Sequence, residues 1–167
     1  ELPNEIVKSQ IKTVLDEYKV DSIKIGLVKS IRQAELIYNI LKKKKLLVPI
    51  VVDPIYKSST NTIFNNKKDY TKIYKILSKL NPVFTPNLFE LRTLLDLSKE
   101  NKFNILELIK IFYKTYKSPI VVTDGGEKRD FCEDFFIDEK KCIQKYSSKK
   151  IISKSTHGTG CSFSTAL

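Results

Sequence analysis

Two short stretches constrain this chain more than anything else in it: "PIVVD" at 49–53 and "PIVVT" at 119–123. Neither alternates polar with apolar residues. A strand with one wet face alternates, so an unbroken Ile-Val-Val run belongs to a strand covered on both faces, as in a parallel sheet flanked by helices. Around these runs the apolar spacing becomes helical. Ile6, Val7, Ile11, Val14, Leu15 and Tyr18 share one helical stripe. Ser30 is placed to cap a helix reaching about Lys45, and another helix is expected to reach about Leu80 after a polar loop at 57–66. Two more helices are expected at 87–96 and 104–116, and a last one starts at Thr159. The stretches 21–26 ("DSIKIG") and 83–85 read as short strands, and 131–137 with 142–146 as a β-hairpin. Strands alternating with helices mean parallel βαβ units with right-handed crossovers. The expected fold class is therefore α/β, with a mainly parallel central sheet between helical layers and a late β-hairpin, in a single domain of 167 residues.

Composition removes several classes of function. No apolar run reaches the roughly 18 residues of a membrane span, and no basic-then-apolar leader precedes the first helix. The chain opens on Glu1 and is expected to be a piece of something longer. The net charge of +11 could suit a nucleic-acid partner. The lysines are scattered, however, and only Lys42 to Lys45 form a run, late in a helix where cations suit the dipole. The expectation is neither a nucleic-acid nor a membrane partner. Three cysteines, Cys132, Cys142 and Cys161, lack metal-site spacing, and their odd number suits reduced thiols in a cytoplasm.

In an open α/β sheet, ligands collect beyond the carboxyl ends of the strands. Those ends are "KIG", "VVDP", "VFTPN" and "VVTDGG". All five glycines (26, 125, 126, 158 and 160) lie just after a strand or in the final turn. There the small residue lets backbone approach a ligand. "GTGC" leading into a helix points backbone N–H groups and the positive end of the dipole at one spot, a fit place for the charge of a transferring phosphoryl group. A thiol in the first turn of such a helix is a candidate base, because its anionic form would face that positive end.

Together these motifs resemble the ribokinase-like superfamily and, more narrowly, the hydroxymethylpyrimidine/phosphomethylpyrimidine kinases of thiamin biosynthesis. "KSTHGTGCSFSTAL" is similar to that family's THGTGC signature, in which the cysteine stands where sugar-kinase and pyridoxal-kinase relatives carry Asp. "VVDPIY" at 51–56, "TPNLFELRTLL" at 85–95, "KIGLVKS" at 24–30 and "VVTDGG" at 121–126 resemble further family segments, in the right order. Asp124 stands where the family usually has Lys, with Lys128 or Arg129 as substitute cations. Leu27 replaces a Met and Asn61 a Gly.

The resemblance implies an ATP- and magnesium-dependent phosphotransferase acting on a pyrimidine alcohol and its monophosphate. In its catalytic end, Gly158, Thr159 and Gly160 form the anion hole and Cys161 takes the proton of the substrate hydroxyl. Thr123, Gly125, Gly126 and Asn87 line the nucleotide. Gly26, Leu27 and Ile55 lie near the pyrimidine. Glu90 and Asp53 serve a magnesium ion through its water; the alternatives are a first-turn acid that favours its helix dipole for Glu90 and a cap of the following turn for Asp53. His157 is a turn-positioning residue. The resemblance also implies a homo-oligomer, and a chain that is the middle two-thirds of such a kinase. Two alternatives stay open, a pyridoxal-type kinase and a ribokinase-like domain that binds ligand without catalysis.

Overall fold

The computed structural model describes residues 2–45, 47–58, 62–98, 100–123, 130–138, 140, 142–153 and 158–167. Strands β1 (Ile23–Ile25), β2 (Ile50–Val52), β3 (Val83–Phe84), β4 (Ile120–Val122), β5 (Phe131–Ile137) and β6 (Ile143–Lys149) form one six-stranded sheet in chain order. The first four are mutually parallel; β5 runs antiparallel to β4 and pairs with β6 as a hairpin. Helices α1 (Asn4–Glu17), α2 (Ile31–Lys44), α3 (Lys67–Leu77), α4 (Leu88–Leu94) and α5 (Ile105–Tyr116) precede or connect the parallel strands. Because strand order follows chain order, right-handed crossovers put the connecting helices on one face. The last helix, α6 (Thr159–Ala166), packs against β2.

The local signals fold as expected. The Ser30 hydroxyl accepts from the Gln33 N–H at the head of α2, and Lys42, Lys43 and Lys44 occupy its last turn. Asn66, Asn87 and Asn104 cap α3, α4 and α5. The third helix stops at Leu77 and tightens into a 3₁₀ turn to Leu80, closed by Asn81 with φ of 52°. Within the described part of the polar stretch, Lys57 and Ile63 pair as an antiparallel bridge.

Alternation along the buried strands separates two faces. Ile25, Val52, Phe84, Ile120 and Val122 point into the helical layer, where they meet Tyr70, Tyr74, Leu91, Phe112 and Tyr116. Aromatic rings fill much of this core: Phe84 meets Phe112 edge-on at 5.3 Å, and Phe112 stacks on Tyr116 at 4.6 Å. Lys24, paired with Val51, and Val51 itself, paired with Val83, point to the opposite face. Phe163 and Leu167 of α6 lie over Val83, Val121 and Phe136 there.

Candidate functional site

The parallel ladder continues past the strands and aligns their carboxyl ends. The Asp53 N–H donates to the Ile25 carbonyl at 2.9 Å, Thr85 N–H to Val52 at 3.0 Å, and Thr123 N–H to Pro86 at 3.1 Å. Asn87 and Thr123 are joined by a parallel bridge. Gly26, Asp53, Asn87 and Thr123 thus sit in one row along the end of the sheet. Ile55 lies beside Gly26, its Cδ1 3.9 Å from where a Cβ on that glycine would be, so Gly26 has ordinary room. Leu27 is exposed at the rim of the groove that Gly26 also lines.

Asn87 and Glu90 form a capping box at the head of α4. The Asn87 side chain accepts from the Glu90 N–H at 2.9 Å, and Glu90 Oε2 accepts from the Asn87 N–H at 3.1 Å. Glu90 Oε1 also accepts from the Tyr56 N–H at 3.3 Å, which fastens the loop after β2 to α4. The residue is only 7% exposed. Burial pushes its carboxyl up to about 7; the two backbone N–H groups and Lys57 oppose this, and Asp53 adds to it. A residue that caps its helix therefore also brings a buried, reluctant charge to the row.

Asp53 holds the other end. Its carboxylate is buried, and burial raises its proton affinity against three opposing partners: the Ser164 hydroxyl, the Lys24 ammonium and the Cys161 thiol. The Ser164 Oγ is 3.0 Å from Asp53 Oδ2, and Lys24 Nζ is 4.0 Å from the same oxygen. Lys24 Nζ also donates to the Cys161 carbonyl at 3.3 Å. So Cys161, in the first turn of α6, is brought against Asp53 from 108 residues away along the chain (161 minus 53). Its thiol remains exposed, so it is not a packed core side chain.

The turn before α6 is specialised. Gly158 adopts φ of 80°, a conformation that strains any residue with a Cβ. Around Gly160, nothing lies within 4 Å of where a Cβ would stand. The helix has no acidic residue in its first turn, where α3, α4 and α5 each have one. No side chain caps it either, so neither a cap nor a carboxylate of its own first turn offsets its positive end.

Of the residues singled out in the sequence, Gly125 and Gly126 lie outside the described residues, as do Asn61, Asp124, Lys128, Arg129 and His157. Three contributors have no role assigned by the resemblance: Lys24 and Ser164, although they lie within "KIGLVKS" and "KSTHGTGCSFSTAL", and Asn65. Buried Asn65 donates from Nδ2 to the Val28 carbonyl at 3.0 Å and ties the two loops flanking Gly26. A signal for Ser164 was present, since three residues after Cys161 is the same side of a helix. Among the described residues no three His, Cys, Asp or Glu side chains converge as direct metal ligands.

The profile of the phosphomethylpyrimidine kinase family matches residues 1–167. A hydroxymethylpyrimidine/phosphomethylpyrimidine kinase of Aquifex aeolicus is 24% identical over 99% of this chain and 64% of its own length. One from Staphylococcus aureus is 28% identical over 99% of the chain and 60% of its length. The chain thus spans less than two-thirds of these relatives. The structure of Bacillus subtilis pyridoxal kinase, an ADP complex, superposes with a TM-score of 0.83 at 26% identity, over 99% of this chain and 62% of that one. The fold is ribokinase-like, and the chain belongs to the phosphomethylpyrimidine kinase family.

Proposed function

We propose that this chain carries the phosphoryl-transfer end of an ATP-dependent kinase for 4-amino-5-hydroxymethyl-2-methylpyrimidine and its monophosphate, in thiamin biosynthesis. The observation that carries the reading is the exposed Cys161 in the first turn of α6, held against Asp53 beside an N-terminus free of acidic side chains. The N–H groups of Gly158, Thr159 and Gly160 receive the negative charge that develops on the transferring phosphoryl group. Cys161, as the thiolate, accepts the proton of the substrate hydroxyl while that hydroxyl's oxygen bonds to the γ-phosphorus of ATP and the bond to the departing ADP breaks. Asn87 and Thr123, with Gly125 and Gly126, line the nucleotide. Gly26, Leu27 and Ile55 border the pyrimidine.

The donor set fits magnesium that keeps its water shell. Asp53 and Glu90 are buried carboxylates with raised proton affinity, each favoured in its charged form by a nearby cation, and no direct ligand cluster accompanies them among the described residues. When bound, the ion would neutralise charge on the phosphates.

Replacing Cys161→Ala is expected to leave binding of a non-hydrolysable ATP analogue intact and to lower turnover about 100-fold or more, within the range for loss of a general base. Near-normal turnover would remove the base role. The likeness to pyridoxal kinase favours a second reading, phosphorylation of a pyridoxal-type alcohol. Comparing kcat/KM on pyridoxal and on the pyrimidine alcohol decides between them.

A further inference from the structure

We propose that Lys24 is a positioning residue for the α6 side of this site: its ammonium ties the buried Asp53 carboxylate to the main chain at Cys161 and so holds the first turn of α6 over the sheet end. Only its effect on turnover rests on the phosphoryl-transfer reading; the clamp itself is a matter of structure.

Lys24 is the middle residue of β1, at one edge of the sheet that the described residues form. A lysine on an edge commonly stands in water and discourages other strands from pairing. This one is exposed, but its ammonium reaches across to α6. Its register partner is Val51, two residues before Asp53, so it shares the face that α6 covers. Its side chain keeps 29% of its surface, with Nζ 3.3 Å from the Cys161 carbonyl and 4.0 Å from Asp53 Oδ2.

The hydrogen bonds explain why a cation is needed there. The Ser164 Oγ lies 3.0 Å from Asp53 Oδ2 and 3.1 Å from the Cys161 carbonyl, but a hydroxyl has one proton. When that proton goes to the carboxylate, the carbonyl keeps the Thr165 hydroxyl, at 2.7 Å, and Lys24. The Lys24 ammonium donates to the carbonyl at 3.3 Å, and its charge stands 4.0 Å from the carboxylate, so one group serves both by different means. Ser164 is the one fully buried residue of α6, and its apolar contacts come from Phe163 and Leu167, toward the helix end. The polar cluster is what fastens its first turn. Lys24 links it to a strand 137 residues earlier.

The test uses the purified chain at one pH, with Lys24→Met, which keeps an apolar stem, and Lys24→Arg, which keeps the charge. Hydrogen exchange read by mass spectrometry follows the α6 amides. Peptide-mapped alkylation with iodoacetamide follows Cys161, with Cys142 as reference. In Lys24→Met the α6 amides are expected to exchange about tenfold faster, as for loss of a charged hydrogen bond. Cys161 is expected to react faster, while Cys142 and the amides of β2 to β4 stay unchanged. Lys24→Arg is expected to restore most of the protection. In turnover, kcat should fall in Lys24→Met with little change in KM for ATP, and recover in Lys24→Arg. Unchanged α6 exchange in Lys24→Met overturns the proposal. So does loss of protection throughout the sheet, or a Lys24→Met protein that does not fold, since either would make the lysine a support of β1 alone. If α6 responds as expected but the unsubstituted chain never turns over ATP, the clamp stands and the kinase reading fails.

Discussion

Glu90 shows how one residue serves the fold and the site together. Its carboxyl completes a capping box and accepts the Tyr56 N–H, yet burial makes the ion costly. It is easier to protonate in the folded protein than in the unfolded chain. Its contribution to stability is therefore full below the usual carboxylate range and is lost as pH rises through about 7. Denaturant unfolding is expected to show a decline between about pH 5 and about pH 8 of up to roughly 3 kcal/mol from this group. The decline should shrink in Glu90→Gln, which cannot ionise. An equal pH slope in both proteins would refute the assignment. Asp53, raised for the same reason, adds in the same direction.

At the scale of the element, α6 separates two glycines that look alike in "GTGC". Gly158 has φ of 80°, so Gly158→Ala is expected to cost about 1 kcal/mol of stability and to lower turnover as the turn shifts. Gly160 lies inside the helix with open space where a Cβ would go. Gly160→Ala is expected to gain up to about 1 kcal/mol, because alanine is the better helix former. Its methyl would stand over the first-turn N–H groups, so turnover should still fall. Thermal unfolding and initial-rate assays on the two variants check this: stability and activity fall together at 158 and move oppositely at 160. The elements themselves were legible because their signals are local. "PIVVD" and "PIVVT" have no wet face, and Ser30, Asn87 and Asn104 announce helix starts. The clamp was not legible. A lysine between two isoleucines in "SIKIG" looks like an edge residue. Nothing near Ser164 in the chain says that it meets Asp53, 111 residues away. Motif resemblance found Cys161, Asp53 and Glu90 as separate points; only the packing of α6 on β2 makes two of them neighbours.

For the whole molecule, the order of strands across the sheet is their order along the chain. Each new strand lies beside the one before it, so the sheet can assemble by adding at its open edge, with modest loop-closure entropy at every step. The site does not share this economy. It is closed by contacts spanning 111 and 137 residues, made by the final helix reaching back to the first two strands. Assembly of the scaffold and completion of the site are thus separate events. In refolding, far-ultraviolet circular dichroism should recover before the α6 amides become protected in pulsed hydrogen exchange; simultaneous recovery would mean that α6 docks with the sheet. A chain emerging from the ribosome would, on the same logic, hold a nearly finished sheet while residues 158–167 were still inside the exit tunnel, so Lys24 and Asp53 would wait in water for the helix that meets them.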